Sequence, residues 1–141
     1  MMNLKKLKVN GRLAVDTNAV ISYREGIPEV RSLIEGADTI FLPVVVLGEL
    51  LYGAINSARP EENKQAARKF LEQSVLIPAD EGTAARYADI RLKLKKKGGP
   101  IPENDIWVGA SCLEIDVTLL TSDGHFDNIP GLRVINWTRD D

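Results

Sequence analysis

The sequence contains little of what small proteins use for covalent stabilisation or membrane insertion. Among its 141 residues there is one cysteine and one histidine, so an intrachain disulfide is impossible and a cysteine/histidine zinc centre is disfavoured. The opening residues carry three lysines: Lys5, Lys6 and Lys8. The apolar stretch that follows is interrupted by Asp16, Asn18 and Arg24, well short of the ~20 residues that span a bilayer. We therefore expect a cytoplasmic protein without a signal peptide or transmembrane helix.

A basic excess, common in proteins that bind nucleic acid, is also missing. The chain has 18 lysines and arginines against 20 aspartates and glutamates, a formal net charge of −2. Its composition, 44% hydrophobic and 27% charged, is that of an ordinary globular protein. Any nucleic-acid function must therefore depend on where the charges lie. At this length we expect one domain, residues 1–141, with a core that needs no covalent staple.

Short β-type runs alternate with helical patterns along the chain. The runs are residues 13–15, 39–42, 75–77, 117–120 and 133–135, and the helical patterns are residues 28–34, 44–58, 60–73, 80–97 and 102–114. Strands that alternate with helices form parallel sheets covered on both faces. The sequence therefore predicts an α/β fold with three layers, α/β/α, around a central parallel sheet of about five strands.

Carboxylates follow two of the predicted strands. Asp16 comes directly after the run 13–15, and Asp123 follows the run 117–120 after Thr121 and Ser122. Because ligands bind outside the carboxyl ends of parallel strands, both acids are candidates for a site at this edge. Glu49 interrupts an apolar helical stretch, where an unpaired charge would be costly.

Asp105 is the fourth acid of the predicted group. It lies at the start of a helical pattern, and Gly109 one turn later predicts a close approach of that helix to the sheet. Four carboxylates brought together repel one another unless cations neutralise them. Oxygen ligands of this kind favour Mg²⁺ or Mn²⁺ over zinc.

Each acid also has an ordinary structural interpretation, and the sequence leaves these open. Asp16 is a suitable cap for a helix beginning near Thr17, and Glu49 is compatible with a partly exposed helix position. Asp105 is favourable in the first turn of any helix, and Asp123 followed by Gly124 is typical of a turn.

Five segments together resemble one known family. They are Asp16-Thr17-Asn18, Gly48-Glu49-Leu50, residues 104–110, Thr121-Ser122-Asp123 and residues 126–132. Their order and spacing across nearly the whole chain resemble PIN-domain proteins, and most of all the VapC-type toxins. These toxins are the ribonuclease halves of bacterial and archaeal toxin-antitoxin pairs.

The resemblance implies a PIN-like fold and a metal-dependent endoribonuclease that inhibits translation. It implies a catalytic and metal-binding set for Mg²⁺ or Mn²⁺: Asp16, Glu49, Asp105 and Asp123. It also implies supporting polar groups: Asn18, Asn104, Thr121 and Asp127. The expected partners are RNA, a second copy of the chain in a homodimer, and an antitoxin whose arginine blocks the acids. Hydrolysis by an activated water would leave 5′-phosphate and 3′-hydroxyl ends.

A basic stretch precedes the Asp105 helix and is a candidate for binding the RNA backbone. It consists of Arg91, Lys93, Lys95, Lys96 and Lys97. A solvated helix end, favoured by the helix dipole, explains the same residues equally well. His125 is expected to have a structural role in a loop and is not included in the catalytic set.

Three competing functions share parts of this pattern. A receiver domain needs a lysine late in the chain, and no lysine follows Leu132. A phosphatase with an Asp-x-Asp motif is disfavoured because Asn18 occupies the second position. A catalytically idle interaction module, whose acids only capture a basic partner peptide, remains the main alternative.

Overall fold

A five-stranded parallel sheet forms the centre of the protein in a computed structural model that describes residues 11–139. The strands are β1 (Arg12–Val15), β2 (Thr39–Pro43), β3 (Val75–Ile77), β4 (Thr118–Leu120) and β5 (Val134–Ile135). Their order in the sheet is β3-β2-β1-β4-β5, and every neighbouring pair is parallel. The opening lysines Lys5, Lys6 and Lys8, and the expectation of no signal peptide there, lie outside the described residues.

Helices connect the strands and flank the sheet. They are α1 (Thr17–Arg24), α2 (Pro28–Gly36), α3 (Val44–Ile55), α4 (Pro60–Glu72), α5 (Glu81–Lys97) and α6 (Glu103–Glu114), with a short 3₁₀ helix at Gly124–Asn128. The predicted α/β fold class is confirmed. Within residues 11–139, no helix is both long enough and apolar enough to cross a bilayer.

Helix α3 ends earlier than the sequence pattern predicts. The apolar pattern extends to residue 58, but the helix stops at Ile55. The Ser57 hydroxyl donates a hydrogen bond to the Ala54 carbonyl at 2.6 Å and accepts one from Asn63 at 2.9 Å. These side-chain hydrogen bonds satisfy groups at the helix end, and therefore favour a turn over another helical residue.

The two central strands β1 and β4 are buried on both faces. Ala14, Val15, Leu119 and Leu120 are each 0% exposed, as expected for strands of a covered parallel sheet. Val15 is paired with Leu120 in the register, so the residues that follow these two strands emerge next to each other. This register determines the position of the candidate site.

Helices α5 and α6 pack through an aromatic and ionic contact. The rings of Tyr87 and Trp107 are stacked with centroids 4.2 Å apart. Arg91 donates to the Tyr87 hydroxyl at 2.7 Å and pairs with Glu103 at 3.0 Å, and the Tyr87 hydroxyl also donates to Glu103. This contact fixes the first turn of α6, which contains Asp105.

Gly109 permits a close approach of α6 to a further segment besides the sheet. Helix α6 contacts β2 and β4, as predicted. A Cβ atom at Gly109 would lie 2.5 Å from Ile129 Cδ1 and 3.7 Å from Leu132 Cδ2. At Gly109 itself, therefore, the close neighbours belong to the segment between β4 and β5.

Candidate metal centre

Asp16 lies at the carboxyl end of β1 and is also the N-cap of α1. Its carboxylate accepts hydrogen bonds from the Thr17 backbone N–H at 2.8 Å, from Asn18 Nδ2 at 3.1 Å and from Thr121 Oγ1 at 2.8 Å. The side chain is thus held from β1, α1 and the end of β4 at once. The capping interpretation of Asp16 and the site interpretation are therefore compatible.

The environment of Asp16 shifts its carboxyl group towards the neutral form. Burial raises the pKa of Asp16 to about 6, and the nearby charges of Asp105 and Glu49 act in the same direction. Hydrogen bonds from Thr121 and Thr17 lower the pKa but do not outweigh burial. Only 5% of the residue is exposed. A carboxylate in this position is stabilised by any cation that reaches it.

Glu49 reaches the same edge from helix α3. Its Oε1 atom accepts a hydrogen bond from Thr17 Oγ1 at 2.7 Å, and its Oε2 atom accepts one from Asn104 Nδ2 at 3.4 Å. Thr17 follows Asp16, and Asn104 precedes Asp105. Glu49 is therefore hydrogen-bonded to the sequence neighbours of Asp16 and Asp105.

Asp105, Asp123 and His125 form the second part of the group. His125 Nδ1 lies 3.1 Å from Asp105 Oδ2 and 3.1 Å from Asp123 Oδ1. Burial raises the pKa of Asp105, and the charges of Asp123 and Glu49 add to this effect, whereas His125 opposes it. The influence of both acids on Asp105 shows that the four carboxylates belong to one electrostatic group.

Asn18 and Thr121 connect the two strand ends. Asn18 Oδ1 accepts a hydrogen bond from the Ser122 backbone N–H at 3.0 Å, while Thr121 Oγ1 accepts one from the Asp123 N–H at 3.0 Å. Because both side chains also donate to Asp16, one hydrogen-bond network fixes Asp16 and the backbone of Asp123. The structure thus brings Asn18, Asn104 and Thr121 to the acids.

The hydrogen bonds of Asp127 do not connect it to the four acids. It lies in the 3₁₀ helix, and its two carboxylate oxygens accept hydrogen bonds from Arg139 at 2.6 and 3.2 Å. It lies two positions after His125 along this tight helix, and its side chain has a different partner. Its expected role as a supporting group has no geometric support here.

The five candidate RNA-binding residues lie on the exposed surface of α5. They are Arg91, Lys93, Lys95, Lys96 and Lys97. Arg91 is engaged in the contact with Glu103 described above, whereas Lys97 Nζ donates to the carbonyl of Asn128 at 3.4 Å. Since Asn128 ends the 3₁₀ helix that contains His125, the basic end of α5 is close to one side of the acidic group.

The donor set fits a hard divalent cation. The four acids provide carboxylate oxygens, which Mg²⁺ and Mn²⁺ prefer. Throughout residues 11–139, every ion pair of a lysine or arginine is made with a carboxylate outside these four. Among the ion pairs of the described residues, those of Asp105 and Asp123 are made with His125. The negative charge of the four acids therefore favours the binding of a cation from solvent.

His125 is the residue that sequence reasoning did not place in the site. The available signal was its spacing, two residues after Asp123 and directly before buried Phe126. Asp123 accepts a hydrogen bond from the His125 backbone N–H at 2.9 Å and caps the 3₁₀ helix. This turn directs the imidazole back towards Asp105, twenty positions earlier in the chain.

Comparison with known proteins identifies the family of this chain. The PIN domain profile matches residues 13–132. Ribonuclease VapC2 of Rickettsia felis is 30% identical over 108 residues, which are 76% of this chain and 81% of the relative. Ribonuclease VapC2 of Haemophilus influenzae is 30% identical over 126 residues, 87% of this chain and 96% of the relative.

A solved structure gives the same result at the level of the fold. The crystal structure of VapBC2 from Rickettsia felis, bound to a DNA fragment from its promoter, contains a chain that superposes with a TM-score of 0.82 and 26% identity. The superposition covers 89% of this chain and 98% of that chain. From the profile, the relatives and the superposition together, the chain belongs to the PIN-domain family, in its VapC group.

Proposed function

We propose that this protein is a divalent-metal-dependent endoribonuclease, the toxin of a toxin-antitoxin pair that inhibits translation. The observation that carries the proposal is the convergence of Asp16, Glu49, Asp105 and Asp123 on one edge of the sheet without a lysine or arginine partner among the described residues. Relatives that are ribonucleases by name support the reaction class.

The four acids would hold Mg²⁺ or Mn²⁺. A divalent ion bound there lowers the pKa of water and neutralises charge on a phosphate and its leaving oxygen. The surrounding residues orient the acids: Thr121 and Asn18 hold Asp16, while Thr17 and Asn104 hold Glu49. These hydrogen bonds reduce the reorganisation needed when an ion and a substrate bind.

RNA would reach the acids across the basic end of α5. Exposed Lys95, Lys96 and Lys97 in the last turn of that helix are suited to phosphate contacts. Because water is the nucleophile, the RNA 2′-hydroxyl takes no part in the chemistry. The products should therefore carry 5′-phosphate and 3′-hydroxyl ends.

An antitoxin protein is the proposed regulatory partner. The relative from Rickettsia felis was crystallised as VapBC2 with promoter DNA, which also supports a cytoplasmic location for a corresponding complex here. An arginine of such a partner would compete with the metal through charge-assisted hydrogen bonds to the acids.

We further propose a homodimer. Tyr52 and Ile55 are one turn apart on α3 and are 66% and 60% exposed, so both apolar side chains are available to a second copy of the chain.

Labelled RNA incubated with purified protein tests the enzymatic proposal. We expect cleavage with Mg²⁺ or Mn²⁺, none with EDTA, and recovery when excess metal is returned. The 5′ ends should accept radiolabel only after phosphatase treatment. An Asp105→Asn variant purified in parallel controls for contaminating nucleases. Cleavage that persists in chelator, or 2′,3′-cyclic phosphate ends, would contradict the mechanism, whereas metal binding without cleavage would favour the idle interaction module.

A further inference from the structure

His125 contacts two of the candidate acids, and a histidine with only a structural role in a loop would not need such contacts. The 3₁₀ helix that carries it is capped by Asp123, and its imidazole points to Asp105 on α6. The histidine side chain is 51% exposed, whereas that of Asp105 is 15% exposed. The ring is therefore accessible from solvent on one side and contacts the less exposed acids Asp105 and Asp123 on the other.

The separations among these three side chains match those between ligands of one metal ion. Nδ1 of His125 is 3.1 Å from an oxygen of Asp105 and 3.1 Å from an oxygen of Asp123, and one ligand atom from each residue lies within 4.8 Å of the others. Adjacent ligands of an octahedral ion with bonds of about 2.1 Å are about 3.0 Å apart. These separations are short enough for a single ion to contact all three side chains.

We propose that His125 provides an imidazole nitrogen to the metal ion that Asp105 and Asp123 hold. The proposal rests on the proposed function, because it concerns the same ion. A nitrogen ligand favours first-row transition ions over Mg²⁺, which prefers oxygen. His125 therefore biases the site towards Mn²⁺ and its heavier neighbours.

The competing explanation is that His125 only orients the two acids through hydrogen bonds. In that case the imidazole stays outside the coordination sphere, and the ion contacts oxygen atoms alone. The two explanations differ in a spectroscopic property of the bound ion. Since the chain contains one histidine, any histidine nitrogen detected at the ion in untagged protein must belong to His125.

Pulsed electron paramagnetic resonance of bound Mn²⁺ makes this distinction. Untagged protein would be prepared with natural-abundance and with ¹⁵N-labelled histidine, and loaded with Mn²⁺ below one equivalent. We expect a directly coordinated ¹⁴N signal that changes to ¹⁵N with the label and is absent from His125→Gln. Asn128→Ala, an exposed change in the same 3₁₀ helix, is the matched control and should retain the signal.

Metal affinities provide the second measurement. By isothermal titration, His125→Ala should weaken Mn²⁺ binding by about tenfold or more and Mg²⁺ binding by less than about threefold. Mn²⁺ bound without a histidine nitrogen signal, or equal losses for both ions, would overturn this proposal and leave the proposed function standing. Failure of the wild-type protein to bind Mn²⁺ at all would overturn both.

Discussion

Asp80 and Asp16 each cap an α-helix, and their surroundings differ. Asp80 caps α5 with a reciprocal pair of hydrogen bonds to Thr83 at 3.1 and 3.2 Å, and these bonds lower the pKa of Asp80. Asp16 also caps its helix, by accepting a hydrogen bond from the Thr17 N–H, yet burial raises its pKa to about 6. Hydrogen bonds lower the pKa of both aspartates, so the opposite net shifts come from solvent exclusion and neighbouring acids at Asp16.

The region around α5 and the region around Asp16 also differ in how their charges are compensated. Around α5, charges are exposed and locally compensated, for example Lys93 with Asp89 at 3.0 Å and Arg91 with Glu103 at 3.0 Å. Around Asp16, one buried acid and three partly buried acids lie together without lysine or arginine partners in the described part of the chain. Capping therefore does not distinguish structural from functional acids, whereas the clustering of several like charges away from solvent does.

The largest expected difference is in catalysis. Asp16→Asn should reduce the rate of RNA cleavage by at least about 100-fold, because removal of a ligand costs more than the 10- to 100-fold typical of an outer contact. Asp80→Asn should cleave RNA at the wild-type rate, since asparagine is an equally good cap. Initial rates from labelled-RNA gels measure both. Equal activity of the two variants would remove Asp16 from the site.

The pH dependence of stability should separate the two caps in metal-free protein. A carboxyl whose pKa is raised by folding contributes stability that is fully present below about pH 4 and is lost as the pH rises through about 6. At about 1.4 kcal/mol per pKa unit, wild type should lose up to about 3 kcal/mol relative to Asp16→Asn between pH 4 and 7.

Urea unfolding in EDTA at several pH values measures this effect. The lowered pKa of Asp80 has the opposite sign: its contribution is present above the usual value of 3.8 and is lost as the pH falls below it. The difference between wild type and Asp80→Asn should therefore be flat from pH 4.5 to 7. Parallel curves for wild type and Asp16→Asn would contradict the environment described for Asp16.

Metal binding should stabilise the protein through the acidic group and should not depend on the Asp80 cap. At a Mg²⁺ concentration tenfold above its Kd, binding adds about 1.4 kcal/mol to the free energy of unfolding. Wild type and Asp80→Asn should gain this amount, and Asp105→Asn should gain much less. Thermal melts with Mg²⁺ and with EDTA provide the comparison. A gain in Asp105→Asn equal to that of wild type would place the ion elsewhere.

The smallest effect concerns the basic end of α5. Replacement of Lys93, Lys95, Lys96 and Lys97 by glutamine should weaken RNA binding and leave the fold intact. Each lost phosphate contact should reduce the logarithmic salt slope by about 0.7 for a single strand. Fluorescence anisotropy over a salt series, with the catalytically inactive Asp105→Asn background, measures the slope. An unchanged slope would assign these lysines to a solvated helix end.

Elements with local signals could be predicted well from the sequence. The strand Val75–Ile77 has the predicted bounds. Helix α5 begins directly after its N-cap Asp80 and ends directly before its C-cap Gly98. The φ of +72° at Gly98 suits glycine. Asp16 and Asp123 were placed at one edge because strand ends in a parallel sheet determine that position. Glu49 and Asp105 needed the resemblance in addition, since no local rule brings two helices to that edge.

The remaining features depend on contacts between distant residues. The direction of the His125 ring follows from the 3₁₀ turn capped by Asp123, which is local, and from Asp105 on another helix, twenty positions away. Asp127 faces Arg139, twelve positions later, so its sequence proximity to Asp123 was misleading as a guide to its partner. Gly109 signalled a close contact correctly, but only the path of the chain after β4 identified Ile129 as the neighbour.

The stacked pair of Tyr87 and Trp107 gives the protein an optical reporter of its own. Trp107 lies two residues after Asp105 on α6, and its indole ring is parallel to the Tyr87 ring within 11°. Indole emission depends on such contacts, so a displacement of the first turn of α6 changes the fluorescence without any added dye. With Trp137→Phe to remove the second tryptophan of the chain, any displacement of this turn by an ion or an inhibitory peptide would be followed in real time in the unlabelled protein.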